Sequence, residues 1–469
     1  MSALRLTPLI LAVALFMENM DSTVIATSLA AIATDIGTEP IALKLALTTY
    51  LVALAIFIPI SSWMADRFGA RNVFRWAMIV FVIGSVCCAV SDSLLTFVLS
   101  RFLQGMGGAL MTPVARLVLV RVTPRNQLVD AMAWLSIPGL VGPIVGPPVG
   151  GFITTFASWH WIFLINVPIG IAGVLLVNKF LPEWERIRPR RLDFVGFVLA
   201  GTAFAGWVFG VSVLTLPALP AWVGIATLVV GTIAALAYYW HYKRAEHPLL
   251  DLGVFRFPLF RSTVIGGAFF RLGVGATPFL FPLMLQLAFG MTPFESGSIT
   301  FAGAAGAFAA KFFAERILQS QGFKVALLHS TVVTVLGIYA MGIYTPETPV
   351  WLMLLVLVFA GFYQSMFWTA THAFTFADIS DKDAGQATVI SQVGVQLSLA
   401  FGVALGGGVL EASHLITGGE GINPSLFDFH MAFWVVGTVA LVSTAIFWRL
   451  PKHAGRDISG HGAQAAPGE

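Results

Sequence analysis

Glu18 and Asp21 sit in the middle of an apolar segment, residues 6–36, and every other residue between 9 and 33 is uncharged. Charge in hydrocarbon costs several kcal/mol, so acids kept there are candidates for function. Their i, i+3 spacing sets both on one helix face, where they can point together into a cavity instead of into lipid. A membrane-buried acid pair suggests proton handling. Four cations, Arg101, Arg116, Arg271 and Lys311, also lie inside apolar segments and are the possible partners or ligand contacts.

The elements that must hold these groups are membrane helices. With 57% hydrophobic residues, 10% charged residues and a mean hydropathy of +0.86, the chain does not read as a water-soluble domain. Crossing ~30 Å of hydrocarbon takes roughly 20 residues. Runs of that kind are expected at 7–30, 41–64, 73–90, 95–120, 128–156, 161–181, 194–214, 218–240, 262–289, 295–318, 325–344, 350–376, 384–411 and 430–449. Fourteen spans put both termini on one side. Most Lys and Arg residues fall on that same side, with Lys44 alone on the other, so both termini are expected in the cytoplasm. The adjacent Cys87 and Cys88 exclude a disulfide framework and read as small core residues.

The chain is organised about a basic linker, 182–193, and an amphipathic segment, 243–261, which bracket two central spans. The expected domains are a six-helix bundle at 1–181, the linkers and two extra helices at 182–261, a second six-helix bundle at 262–450 and a flexible tail at 451–469. Two six-helix halves facing a midplane site is a common transporter plan. The strings SSWMADRFGARN (61–72) and FFAERILQSQGFK (312–324) echo one another faintly across the two halves.

Depth offers a test of pairing. Asp21 lies 14 residues into an outward-running span, ~21 Å from the cytoplasmic edge, and Arg101 lies six residues into an inward-running one, ~9 Å from the outer edge. In a core ~30 Å thick those depths coincide, so the two can pair. Glu18 and Arg271 are also at similar depth, in opposite halves. Glu18 could bind a cation or second proton and Arg271 an anionic group; the alternative is that they neutralise one another or bond to backbone. Lys311 either snorkels or pairs with Glu315, and Arg116 serves substrate passage or a loop pairing.

Several strings carry a family resemblance. FMENMDSTVIATSLAAIATDI (16–36), WMADRFGARNV (63–73), SRFLQGMGGA (100–109), GPIVGPPVGG (142–151), SWHWIFLINVPIG (158–170), RLDFVG (191–196) and PLLDLGVFRFPLFR (248–261) span nearly the whole chain. It resembles the fourteen-span drug/proton antiporters of the EmrB/QacA type in the major facilitator superfamily, and most nearly their MdtD-like branch. The resemblance implies an all-α major facilitator fold, with proton coupling at Asp21 and Arg101; Glu18 joins them as a proton-coupling candidate by its place in the same span. It also implies a conformational loop motif carried by Asp66, Arg67, Gly69 and Arg71, with Ser62 where the family usually has Gly and Ala70 where a basic residue is usual. His160 stands where Arg is usual. In the fifth span Gly142, Gly146 and Gly150 form a smooth face, and Pro143, Pro147 and Pro148 favour a bend; that the bend favours exchange is implied by resemblance alone.

For substrate contacts the candidates are Arg271, Gln104, Trp134, Phe270, Gln364, Phe367, Trp368, His372, Gln392 and Gln396, a mixed aromatic and polar lining. Lipid-facing or packing roles are the competing reading for the aromatics. His372 either titrates or hydrogen-bonds a neighbouring helix. Three function classes stand: a proton-coupled exporter of drug-like amphipathic compounds; a proton-coupled exporter of an anionic metabolite such as citrate or a metal chelate, favoured by the excess of cations in the spans; and a non-transporting sensor. No phosphate-cradling Gly-rich loop ends in Lys-Ser or Lys-Thr, so ATP drive and enzymatic chemistry are not expected. The expected partners are a small-molecule substrate, protons and the lipid bilayer, with no nucleic acid, metal or cofactor beyond the proton-motive force. The expected setting is a monomer in the bacterial inner membrane.

Overall fold

The computed structural model describes residues 3–123, 128–181, 191–214, 216, 219–380, 383–417 and 424–451, and among them all regular structure is helical. In chain order the helices are α1 (Ala3–Val24), α2 (Leu29–Asp35), α3 (Lys44–Phe57), α4 (Ser61–Phe68), α5 (Ala70–Ala89), α6 (Leu94–Val122), α7 (Leu128–Phe156), α8 (His160–Leu164), α9 (Asn166–Phe180), α10 (Phe194–Val213), α11 (Ala221–Tyr242), α12 (Pro258–Leu283), α13 (Pro293–Met341), α14 (Val350–Thr375), α15 (Ala384–Ile416) and α16 (Leu426–Trp448). Local chemistry sets several of the ends. Ser93 and Thr96 form a capping box at the start of α6, Ser425 and Asp428 form another at α16, and the Asp193 carboxylate accepts from the Gly196 amide at the start of α10.

Twelve helical stretches are long and apolar enough among the described residues to cross a membrane, with Pro293–Met341 taken as one. Two places account for the difference from the sequence expectation. The segments expected at 295–318 and 325–344 are two helical arms of α13 that meet at a kink at Gly322, whose φ of 74° and ψ of 166° are not helical. The helix α7 is 29 residues long, and Val141–Phe156 is its apolar stretch among the described residues.

The chain divides into two compact units. The first holds residues to Leu249 with Gly290–Ser298, and so takes in the central helices α10 and α11; the second holds Leu250–Phe289 and the chain from Ile299 onward. In the first unit α1 packs on α7, α9 and α6, α5 on α6 and α9, and α3 on α6 and α10. Its core includes Leu11, Met17, Phe74, Phe81, Met111 and Leu119. Lys44, expected on the side opposite the termini, is fully buried at the start of α3. In the second unit α12 is the central element, packed on α14, α15 and α16.

Lipid tails are as apolar as a leucine, so helix association here depends on close packing rather than on the hydrophobic effect. The pairing of α10 with α11 shows it. A Cβ on Gly206 would lie 2.7 Å from the Thr227 carbonyl oxygen, and one on Gly210 would lie 2.9 Å from that of Gly224. The outer face of α11 is left to lipid by Trp222, Ile225, Val229, Ile233, Leu236 and Trp240, all more than half exposed. Gly206→Val should therefore force the pair apart and cost about 1–3 kcal/mol, the usual penalty of overpacking. The check is a lowered unfolding temperature of the purified protein in detergent; an unchanged one would refute the close-packed interface.

Candidate functional site

Asp21 lies fully buried in the first unit, among side chains from α3, α5, α6 and α9. Its Oδ2 accepts from Arg101 Nη1 at 2.6 Å, and its Oδ1 accepts from Gln104 Nε2 at 2.7 Å and from Asn166 Nδ2 at 2.9 Å. The two amides continue to Ser85 Oγ, at 2.7 Å from Gln104 and 3.2 Å from Asn166. Arg101, 1% exposed, also donates to Gln104 Oε1 at 2.5 Å, and its guanidinium sits over the Tyr50 ring at 4.3 Å. The fully buried carboxylate is held by one cation and two amides.

Glycines make this geometry reachable. A Cβ on Gly84 would lie 2.6 Å from the Gln104 backbone, and one on Gly105 would lie 2.8 Å from the Tyr50 carbonyl oxygen. The helix α6 is thereby pressed close to α5 and α3, and Arg101 and Gln104, three residues apart on one face, reach the same carboxylate. The fifth-span stripe works on the other side of α1. Gly142 faces the Met20 amide nitrogen, where a Cβ would come within 2.9 Å, Gly146 faces Thr23, and Gly150 faces Val24 and Thr27. The proline-rich α7, with Pro138, Pro143, Pro147 and Pro148 inside it, thus lies directly on the helix that carries Asp21.

Glu18 parts company with Asp21. It is half-buried, and its Oε2 accepts from Thr112 Oγ1 at 2.6 Å. Arg116, exposed and four residues beyond Thr112, lies on the same face of α6. The two acids share a helix face by spacing, yet one is fully buried and the other half-buried.

The loop motif forms a separate cluster. Gly69, at φ 88°, makes the reversal between α4 and α5, a conformation that favours glycine. Asp66 Oδ1 accepts from Arg121 Nη2 at the end of α6, 2.6 Å away, and Arg71 Nη2 donates to the Asn178 carbonyl oxygen on α9 at 2.5 Å. Arg67 and Ser62 are exposed, whereas Ala70 is fully buried, where a longer basic side chain would have to displace its neighbours. His160 stacks on Trp159 with ring centroids 3.9 Å apart.

In the second unit Arg271 is 4% exposed and lies 5.6 Å from the centroid of the Trp368 ring, which in turn stacks on His372 at 5.9 Å. Phe270 and Phe367 stack at 3.6 Å, and neither is exposed, so they form a sealed packing pair and not an open lining. Gln364, Gln392, Gln396 and Trp134 are half-buried. Lys311 Nζ donates to Thr369 Oγ1 at 2.9 Å, not to Glu315.

The chain matches the Major Facilitator Superfamily over residues 11–247 and 263–467. It belongs to that superfamily. Similar relatives cover almost the same length: a protein provisionally named multidrug resistance protein MdtD of Cronobacter sakazakii is 34% identical, with 94% of each chain covered. Another of that name in Enterobacter sp. is 32% identical over 96% of this chain and 95% of its own. A protein named as transport protein HsrA of Haemophilus influenzae is 33% identical over 95% of each. Among solved structures, a D-xylose–proton symporter superposes with a TM-score of 0.69 at 16% identity, covering 96% of this chain and 98% of its own. An auto-inhibited POT-family peptide transporter gives 0.67 at 13% identity, covering 94% and 97%. These last two likenesses concern the fold.

As a major facilitator protein this chain is a multi-pass membrane transporter and not an enzyme. Sequence reasoning had placed Asp21 and Arg101 at one depth, and they are joined. It had placed Gln104 with the substrate contacts, and the structure puts it, fully buried, on Asp21. Asn166, Ser85, Tyr50 and Thr112 went unnoticed; an asparagine inside the apolar string INVPIG was the available signal, since buried amides in spans bond across helices. Removing one partner of a buried ion pair costs about 3–5 kcal/mol because the other charge is stranded. Arg101→Ala should therefore lower the unfolding temperature much more than Asp21→Asn, which removes the acid's charge but keeps a side chain of the same shape that can still accept. Equal losses in a melting measurement would overturn this account of the site.

Proposed function

We propose that this superfamily member is a proton-coupled antiporter that exports drug-like amphipathic compounds by alternating access. It would use fourteen spans, α7 and the two arms of α13 among them, with both termini in the cytoplasm of the bacterial inner membrane, as a monomer driven by the proton-motive force alone. The observation that carries the reading is the sealed Asp21–Arg101 pair. The names carried by the relatives support export of drugs over export of an anionic metabolite.

The cycle follows from the bonds. Ionised Asp21 ties α1 to α6 and α9 through three donors. A proton on Asp21 removes the charge that holds Arg101, and Arg101 already has Gln104 Oε1 and the Tyr50 ring to turn to. The guanidinium therefore survives the loss of its counter-ion while α1 is released. The smooth glycine face of α7 lets α1 shift without interlocking side chains. Release of the proton toward the cytoplasm restores the pair and resets the carrier.

Magnitudes fit an exporter. One pH unit supplies about 1.36 kcal/mol per proton, and 100 mV supplies about 2.3 kcal/mol more. Together these sustain a gradient of about 400-fold in a neutral substrate for one proton exchanged. In everted vesicles energised by a pH gradient, Asp21→Asn should insert at the wild-type level yet fail to accumulate an ethidium-like or other amphipathic dye, its ratio falling toward unity. Full accumulation by this variant would defeat the proposed coupling role.

A further inference from the structure

Two arginines of nearly equal burial have opposite surroundings. Arg101, 1% exposed, has the Asp21 carboxylate at 2.6 Å. Arg271, 4% exposed, has none: among the described residues no carboxylate lies within ion-pair distance of it. Its Nη2 makes one long bond, 3.3 Å, to the Val264 carbonyl oxygen of its own helix, and its Nε is buried without a partner. Gly267, one turn earlier, makes room for the group, since a Cβ there would come within 2.6 Å of Nη1. The guanidinium is folded against α12 and the Trp368 ring, with hydrogen-bonding capacity unused.

A second cation, exposed where Arg271 is buried, also contacts α14. Lys311 reaches Thr369, the residue after Trp368 on α14, and it too has no carboxylate partner among the described residues. A lone charge in a membrane span costs several kcal/mol, and such residues are kept where a counter-charge or ligand meets them. The described helices of this unit do not provide that counter-charge at Arg271.

We propose that the second unit recognises amphipathic anions, the carboxylate, sulfonate or phosphonate of the substrate being held by Arg271 while its apolar body lies against Trp368. The planar guanidinium fork matches the paired oxygens of such groups, and an indole face suits an aromatic or alicyclic body. His372, stacked on Trp368 and exposed, stands at the edge of the same surface. Arg271 acts here as a specificity residue. The inference rests on the exporter reading above and narrows its substrates to one charge class.

The test uses the full-length protein in proteoliposomes under an imposed pH gradient, with two fluorescent probes that share an aromatic body and carry fixed opposite charges: naphthalene-2-sulfonate and trimethyl(2-naphthyl)ammonium. Wild type should transport the sulfonate. Arg271→Gln should raise its KM about tenfold or more, Arg271→Lys should fall between, because it keeps the charge but not the fork, and neither should change what is seen with the ammonium probe. Transport of the ammonium probe but not the sulfonate would overturn the inference and leave the exporter standing. So would an Arg271→Gln effect that is absent, or equal for both probes, which would make Arg271 a packing residue. If wild type moves neither probe nor any amphipathic drug in the gradient, both the inference and the exporter reading fall.

Discussion

The arrangement of the first unit depends on one requirement: a carboxylate shut away from water must have all of its hydrogen bonds supplied by protein. Asp21 meets it with Arg101, Gln104 and Asn166. To bring those three within 3 Å, α6 must press against α5 and α3, and that is possible only because Gly84, Gly105 and Gly107 present no side chains at the crossings. A pair of this kind adds little net stability, because desolvation cancels most of the attraction, but it is costly to break one-sidedly. It therefore defines two well-separated states, paired and neutralised, with little stable ground between.

The two units solve the problem of buried charge differently. The first contains both members of its central pair. The second contains a guanidinium with spare donors beside an indole and, one position along α14, an ammonium on a threonine hydroxyl. The loop motif is a third, smaller locus. Its Asp66–Arg121 pair is part-exposed, so it contributes a fraction of a kcal/mol to about 1 kcal/mol and is suited to opening and closing often.

How much of this could be read from the chain varied with the physics of each residue. Depth along a helix is nearly fixed by residue count, so the meeting of Asp21 with Arg101 was legible. Azimuth is not, and so Gln104 was expected at a cavity when its rotation about α6 aims it at Asp21, and Phe270 was expected on a lining when it is sealed against Phe367. Asn166 and Ser85 are small polar residues in apolar strings, and only the partners that structure brings to them reveal their part. The break between the spans read at 295–318 and 325–344 was legible in the glycine of the mostly polar string at 319–324, and two helices meet at a kink at Gly322.

The Asp21 network also has a history in time. Its members are far apart along the chain: Arg101 follows Asp21 by 80 residues, and Asn166 by 145. At about 5–20 residues per second, the ribosome emits Arg101 roughly 4–16 s after Asp21, and Asn166 several seconds later still. Throughout that interval the first helix reaches the bilayer with a carboxylate that none of its eventual donors yet exists to meet. The nascent chain must wait, its acid protonated or kept near the polar interior of the insertion machinery, until the sixth and ninth helices are made. Biogenesis of this transporter is for that reason a process of delayed charge matching, in which the order of translation decides how long the most consequential side chain stays alone.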